Sequence, residues 1–170
     1  PLMHRSLKFE DIVEAYYTGL YRFAFSLTKN EHEAGDLTQQ TFFVYARKGD
    51  SIRDPSKVKS WLFTTLYREF LKICRKTKSL TFKEHEELEL DMPTAAPKIA
   101  SQLDAASTVD LLNEIDETYR DPIILFYLQD HSYKEIAAIL DIPIGTVMSR
   151  ISRGKNQLRN LFTKQDTKVE

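Results

Sequence analysis

Between Ser132 and Leu158 the chain reads SYKEIAAILDIPIGTVMSRISRGKNQL, a stretch whose punctuation leaves room for two short helices joined by a tight turn. Ser132 and Glu135 have the spacing of a capping box, in which each side chain accepts a hydrogen bond from the other residue's backbone N–H and a helix begins. Ile136, Ala137, Ile139 and Leu140 form the apolar side of that helix. Asp141 to Pro143 ends it, because the residue before a proline is pushed out of the helical region. Proline is itself tolerated at a helix start, so a second helix follows at once near Ile144 to Thr146. This is helix-turn-helix spacing.

In the second helix Val147, Ile151, Leu158 and Leu161 recur at helical intervals and define one buried stripe. At about 100° per residue the opposite face presents Ser149, Ser152, Arg153 and Asn156, with Thr146 near the N-terminal end and Met148 and Arg150 on the flanks. Hydroxyls, an amide and guanidinium groups hydrogen-bond base edges and phosphates, and no acidic residue lies between Ile142 and Gln165 to repel them. These residues are those of a recognition helix. The alternative is an ordinary helical hairpin with a solvated basic face.

A formal net charge of −1 over 170 residues argues at first against a nucleic-acid partner. The charge is segregated, however. Arg47 to Lys78 carries ten basic and three acidic residues, Ser79 to Glu117 two basic and ten acidic, and Ile144 to Lys164 five basic and none acidic. Two basic blocks therefore flank an acidic one. Cys74 is the only cysteine, which excludes an intrachain disulfide and a cysteine-rich zinc cluster. His4, His32, His85 and His131 are dispersed and read as surface or helix-end residues, with no His-Glu-x-x-His pattern. The five glycines form no phosphate-cradling loop. Catalytic residues, metal and cofactor are accordingly all expected to be none. No apolar run is long enough to cross a bilayer, and the N-terminus, with Pro1 and Leu2 set aside, lacks a signal peptide's apolar core. A cytoplasmic location without membrane insertion is expected.

The N-terminal half reads as a helical bundle. From Leu7 to Thr28 the residues Phe9, Ile12, Val13, Tyr16, Tyr17, Leu20, Phe23, Ala24 and Leu27 follow a helical period with a broad apolar face. After a turn at Asn30, a helix from Glu31 to Arg47 buries Leu37, Thr41, Val44 and Tyr45, and its other face carries Asp36, Gln39 and Phe43 together. An aromatic beside an acid and an amide suits a protein contact. The alternative is that Phe42 and Phe43 complete a core on both sides.

Lys48 to Ser56 has the composition of a loop. A third helix from Lys57 to about Lys76 gathers Val58, Trp61, Leu62, Leu66 and Ile73, while Lys57, Arg68, Lys72 and Arg75 form a basic stripe beside Trp61 and Thr64. Cations interleaved with an aromatic suit single-stranded or melting DNA, and a buried tryptophan under a solvated basic face is the alternative. Ser79 to Ser101 is rich in glutamate, proline and alanine and reads as a linker. A second domain starts near Gln102: Val109, Leu111, Leu112 and Ile115 indicate one helix, Asp121 and Pro122 start another through Leu128, and the tail after Thr163 frays. The expected fold class is all-α, with two small helical domains at 3–78 and 102–165 joined by a flexible acidic linker at 79–101.

Taken together these motifs resemble a bacterial sigma factor of the extracytoplasmic-function (ECF) group in the sigma-70 family. DLTQQTFFVYAR is similar to the region 2 helix that grips the clamp helices of the polymerase β′ subunit, and WLFTTLYREFLKICRK to the minus-ten helix. LLNEIDETYRDPIILFYLQDHSYKEIAAILDIPIGTVMSRISRGKNQL resembles region 4, the most specific of the three. The resemblance implies a factor that binds core RNA polymerase through β′ and β, recognises minus-thirty-five and minus-ten promoter elements and directs initiation, under an anti-sigma factor or other regulator. It assigns polymerase binding to Asp36, Gln39, Gln40 and Phe43. It gives minus-ten contacts to Ser51, Arg53, Asp54, Lys57, Trp61, Thr64, Arg68, Lys72 and Arg75, the first three as readers of a flipped-out base. Thr146, Met148, Ser149, Arg150, Ser152, Arg153 and Asn156 receive the minus-thirty-five element. The chain departs from the family pattern at Arg68 and Lys72, where Asn and Asp are frequent, at Gln40, usually Glu, and at Asp141, commonly Gly. Two other classes remain open, a dimeric helix-turn-helix regulator and a sigma mimic that sequesters an anti-sigma factor; an enzyme is disfavoured.

Overall fold

The computed structural model describes residues 8–84 and 110–166, with side chains over 8–79 and 110–164, and every regular element among them is helical. The chain divides into two compact units, Pro1–Ala96 and Pro97–Glu170.

The first unit packs three helices against one another: α1 (Phe9–Thr28), α2 (Glu31–Lys48) and α3 (Val58–Glu84). α1 ends at Lys29, which adopts the left-handed conformation (φ 55°) and donates its N–H to the Phe25 carbonyl. Asn30 then caps α2 by accepting the Glu33 N–H, so a two-residue connection folds the chain back as a hairpin. The core consists of Ile12, Leu20, Phe23 and Ala24 from α1, Ala34, Leu37 and Phe42 from α2, and Val58, Leu62, Phe63 and Leu66 from α3. The Phe23 and Phe63 rings meet at 5.7 Å. Thr38 and Thr41 are buried at no unsatisfied cost, because their hydroxyls donate to the Ala34 and Leu37 carbonyls.

Several expectations change here. Ile73 was placed in the apolar seam but is 48% exposed, and Phe63 is buried instead. Full burial on α3 ends at Leu66, and beyond it Phe70, Leu71 and Cys74 are only half-buried. α3 also continues past Lys76 into the stretch read as linker, where Lys and Glu favour helix and no Gly or Pro intervenes before Pro93. The rest of that linker, with the start of the second domain at 102–109, lies outside the described residues. Val44 and Tyr45 are half-buried, and Phe9 and Tyr17 are exposed at the edge of the α1–α2 seam, Tyr17 stacked on Phe42.

The second unit opens with a helical turn at residues 110–113, whose Leu111 and Leu112 join Ile115 in the core. α4 (Glu117–Ile123) is capped by Asp116, which accepts the Thr118 N–H. Asp121 and Pro122 therefore lie inside a helix rather than at its start, contrary to expectation. The sequence D-E-T already supplies a cap at Asp116, and Pro122 withholds one N–H from the helix interior just before a π-helical turn at Ile124–Leu128. Arg120 is buried at 2% exposure and pairs with Glu117 at 3.3 Å.

α5 (Tyr133–Leu140) and α6 (Ile144–Asp166) form the helix-turn-helix. Both halves of the Ser132–Glu135 capping box are present. Burial raises the Glu135 carboxyl, but hydrogen bonds from Ser132 and His131 more than offset this and hold it below the usual glutamate range. His131, expected at the surface or at a helix end, stands at the helix end just before the cap and is buried there, with Nδ1 3.4 Å from Glu135. Asp141 makes the corner in the left-handed conformation (φ 54°), which aspartate tolerates better than most residues. On α6 Val147 and Ile151 are buried, whereas Leu158 and Leu161, expected in the same stripe, are only half-buried. Between them stands Gly154, where a Cβ would lie 3.2 Å from Tyr119 Cβ and closer still to the Ile123 side chain. The glycine lets α4 and α6 pack closely together.

Candidate polymerase and nucleic-acid interfaces

Three surfaces carry the residues singled out by the sequence, two on the first unit and one on the second. On α2, Asp36, Gln39, Gln40 and Phe43 are all exposed, Phe43 at 56%, while Ala34, Leu37, Thr38, Thr41 and Phe42 are buried on the other side. The choice left open for the adjacent phenylalanines is thereby resolved: Phe42 enters the core and Phe43 points out. Two neighbours escaped the sequence reading. His32 pairs with Asp36 at 3.2 Å, and the Arg47 guanidinium lies over the Phe43 ring, 5.8 Å from its centroid. The (i, i+4) spacing of each pair was the available signal.

The connection from α2 to α3 is built on Tyr45. A Cβ on Gly49 would meet the Tyr45 ring at 2.6 Å, so the glycine lets the backbone pass against the ring where it now lies. Tyr45 stacks on Phe9 at 6.3 Å and meets Trp61 edge-on at 5.8 Å. Trp61 is half-buried, with its ring against that of Tyr45. Ser51 donates its hydroxyl to the Lys48 carbonyl, and Asp54 accepts both the N–H and the hydroxyl of Ser56. Those two hydrogen bonds hold the exposed Asp54 carboxyl below the usual aspartate range. Arg53 and Lys57 are exposed.

Along α3, Arg68, Lys72 and Arg75 are exposed as a stripe. Lys72 donates to Glu69 at 2.8 Å, so one cation of the stripe has an acidic neighbour. Thr64 is half-buried and its hydroxyl donates to the Ser60 carbonyl, so only its lone pairs remain for another group.

On α6 the faces divide cleanly. Met148, Ser149, Ser152, Arg153 and Asn156 are exposed, and Thr146 and Arg150 are half-buried on the opposite flank from Met148. Ser149 donates its hydroxyl to the Thr146 carbonyl at 3.1 Å, which leaves that oxygen as an acceptor. Among the described residues no group of His, Cys, Asp or Glu side chains could hold a metal ion, and no helix is long and apolar enough to cross a membrane.

The family model "Sigma-70 region 2" matches residues 12–80, and "Sigma-70, region 4" matches residues 106–158. The ECF RNA polymerase sigma factor SigW of Bacillus subtilis is 31% identical over 162 residues, covering 89% of this chain and 87% of the relative. This chain belongs to the ECF sigma factors of the sigma-70 family. SigM of the same organism is 28% identical over 159 residues, 91% of this chain and 95% of the relative. Among solved structures, the sigma factor RpoE of Bartonella quintana, in complex with the anti-sigma factor NepR, matches with a TM-score of 0.75 at 31% identity over 92% of this chain and 98% of that one. CnrH, with the cytosolic domain of CnrY, shares the fold at 22% identity and a TM-score of 0.63. The sigma factor thus partners core RNA polymerase and promoter DNA and directs transcription initiation; α1 to α3 fall in region 2 and α4 to α6 in region 4.

Proposed function

We propose how this sigma factor divides that task among its residues. The α2 face of Asp36, Gln39, Gln40 and Phe43 docks on the β′ clamp helices. Its mixture of an exposed aromatic, two amides and an acid supports a protein contact rather than DNA, which a carboxylate would repel. Ser51, Arg53 and Asp54 receive a flipped-out base of the minus-ten element, while Lys57, Trp61, Thr64, Arg68, Lys72 and Arg75 follow the separating strand. Thr146, Met148, Ser149, Arg150, Ser152, Arg153 and Asn156 contact the minus-thirty-five element.

The division of faces on α6 carries this reading. Val147, Ile151 and Gly154 are buried while Ser149, Ser152, Arg153 and Asn156 are exposed, so the hydrogen-bonding side is available to a major groove without loss of the fold. Two domains, the first extended by α3 to Glu84, with the connector beginning only after it, fit the same division of labour. The protein acts in the cytoplasm and catalyses no reaction itself. Control by an anti-sigma factor is supported by the complex of the 31% identical Bartonella relative with NepR.

Run-off transcription tests the reading. Core polymerase plus the full chain should start at a discrete site on a matched promoter, and Arg153→Ala should change selection within the minus-thirty-five element only. Random initiation, or an Arg153→Ala protein with unchanged element preference and unchanged salt dependence, overturns the placement of α6.

A further inference from the structure

Hydrogen bonding and phosphate contact leave one feature of the recognition helix unused. Ile144 and Met148, one turn apart on α6, are 50% and 52% exposed, Ile144 at the open end of the line that Ile151 continues and Met148 on its flank. Met148 stands one turn before Ser152, on the flank that borders the exposed hydrogen-bonding face. The surroundings are cationic: Arg150, Arg153, Lys155 and Arg159 share the helix, and no acidic residue lies between Ile142 and Gln165. Such a surface complements a polyanion, not an apolar protein groove. The major groove of duplex DNA offers an apolar side chain one distinctive partner, the 5-methyl group of thymine.

We infer that Met148, with Ile144 behind it, packs on the 5-methyl group of a thymine in the minus-thirty-five element, so that the sigma factor selects that base through an apolar contact. The inference rests on the proposed placement of α6 in the major groove. An unbranched thioether suits the task, since it adapts to the methyl position without demanding a hydrogen bond from a neighbouring pair. Ile144, one turn earlier at the helix start, adds apolar surface on the same side.

The test uses holoenzyme assembled from the full chain and core polymerase. A promoter is selected from a library randomised across the minus-thirty-five element, and each thymine in it is then replaced in turn by deoxyuridine, which lacks only the methyl group. At one position uracil should weaken complex formation roughly fourfold, the value of one buried methyl-sized group. Met148→Ala holoenzyme should treat thymine and uracil alike at that position, and Met148→Leu should keep the preference. The inference is overturned if no position distinguishes the two bases, or if Met148→Ala discriminates as well as the parent. Arg153→Ala assayed in parallel separates the two levels. Altered element selection in that variant beside a flat uracil scan removes the methyl contact and leaves the helix in the groove. A flat scan with unaltered selection removes both.

Discussion

Gly154 shows how much one missing side chain contributes to the promoter-reading domain. An alanine there would gain helix propensity, about 1 kcal/mol, yet its Cβ would press on Tyr119 Cβ and the Ile123 side chain. The outer atoms of Ile123 can rotate aside, but Tyr119 Cβ is fixed to the α4 backbone, and overpacking of this kind costs about 1–3 kcal/mol. Gly154→Ala should therefore destabilise region 4 by about 1 kcal/mol net, seen as a lower urea midpoint for the unfolding of that unit. An unchanged or higher midpoint would mean that α4 and α6 separate at little cost. Glu135 makes a second residue-scale prediction. Its carboxyl pKa is depressed in the folded state, chiefly by Ser132 acting against burial. That contribution is present above the unfolded glutamate pKa and is lost as pH falls through the lower folded value. Glu135→Gln should lower stability at neutral pH and flatten the acid limb of the stability curve below the ordinary glutamate range. Equal acid limbs in the two proteins would remove the cap from this role.

Elements were legible in the sequence where one local rule sufficed. The helix-turn-helix was readable almost to the residue, since the capping box, Asp141 and Pro143 all act within a few positions. α2 divided as its period required, with Leu37 and Thr41 inside and Asp36, Gln39 and Phe43 outside. Long-range packing was not legible. Nothing local reveals that Ile73 is left in water, that Gly154 faces Ile123, or that Arg120 is buried. Pro122 misled because a proline at a helix start and one inside a helix look alike until the cap at Asp116 is seen. The exposed face of α2 leads to a prediction for that element. Asp36→Arg with Gln39→Ala alters only exposed positions, so circular dichroism should be unchanged while co-purification with core polymerase is lost; undiminished co-purification would sink the clamp assignment. α3 leads to another. With Arg68, Lys72 and Arg75 all changed to Ala, polymerase binding should persist while permanganate reactivity of unpaired thymines near the start site falls. Part of Lys72 is already engaged by Glu69, so Lys72→Ala alone should have the smallest effect of the three single changes. A fully open bubble in the triple variant would reduce the stripe to a solvated face.

At the scale of the whole molecule, the segregated charge and the two compact units share one physical logic. The net charge of −1 gives little general attraction to DNA, and each unit offers only a short basic surface. Affinity for a promoter then comes from holding both surfaces on one duplex at once. Linked binding of this kind replaces a second encounter by an intramolecular one at an effective concentration of about millimolar, whereas separate units would meet the site at about micromolar supply. Cutting the connection should cost up to roughly a thousandfold in promoter occupancy, less whatever grip polymerase keeps on each unit by itself. A protease site placed between residues 85 and 101 provides the test. Intact holoenzyme should protect both promoter elements from nuclease, and the free chain at the same concentration should protect neither. After cleavage the minus-thirty-five protection should vanish first, because region 4 then depends on its own few contacts, while region 2 should stay anchored through the contact proposed for the α2 face. Full protection of both elements by cleaved holoenzyme would show instead that polymerase holds each unit independently and that the covalent connection contributes nothing to promoter recognition.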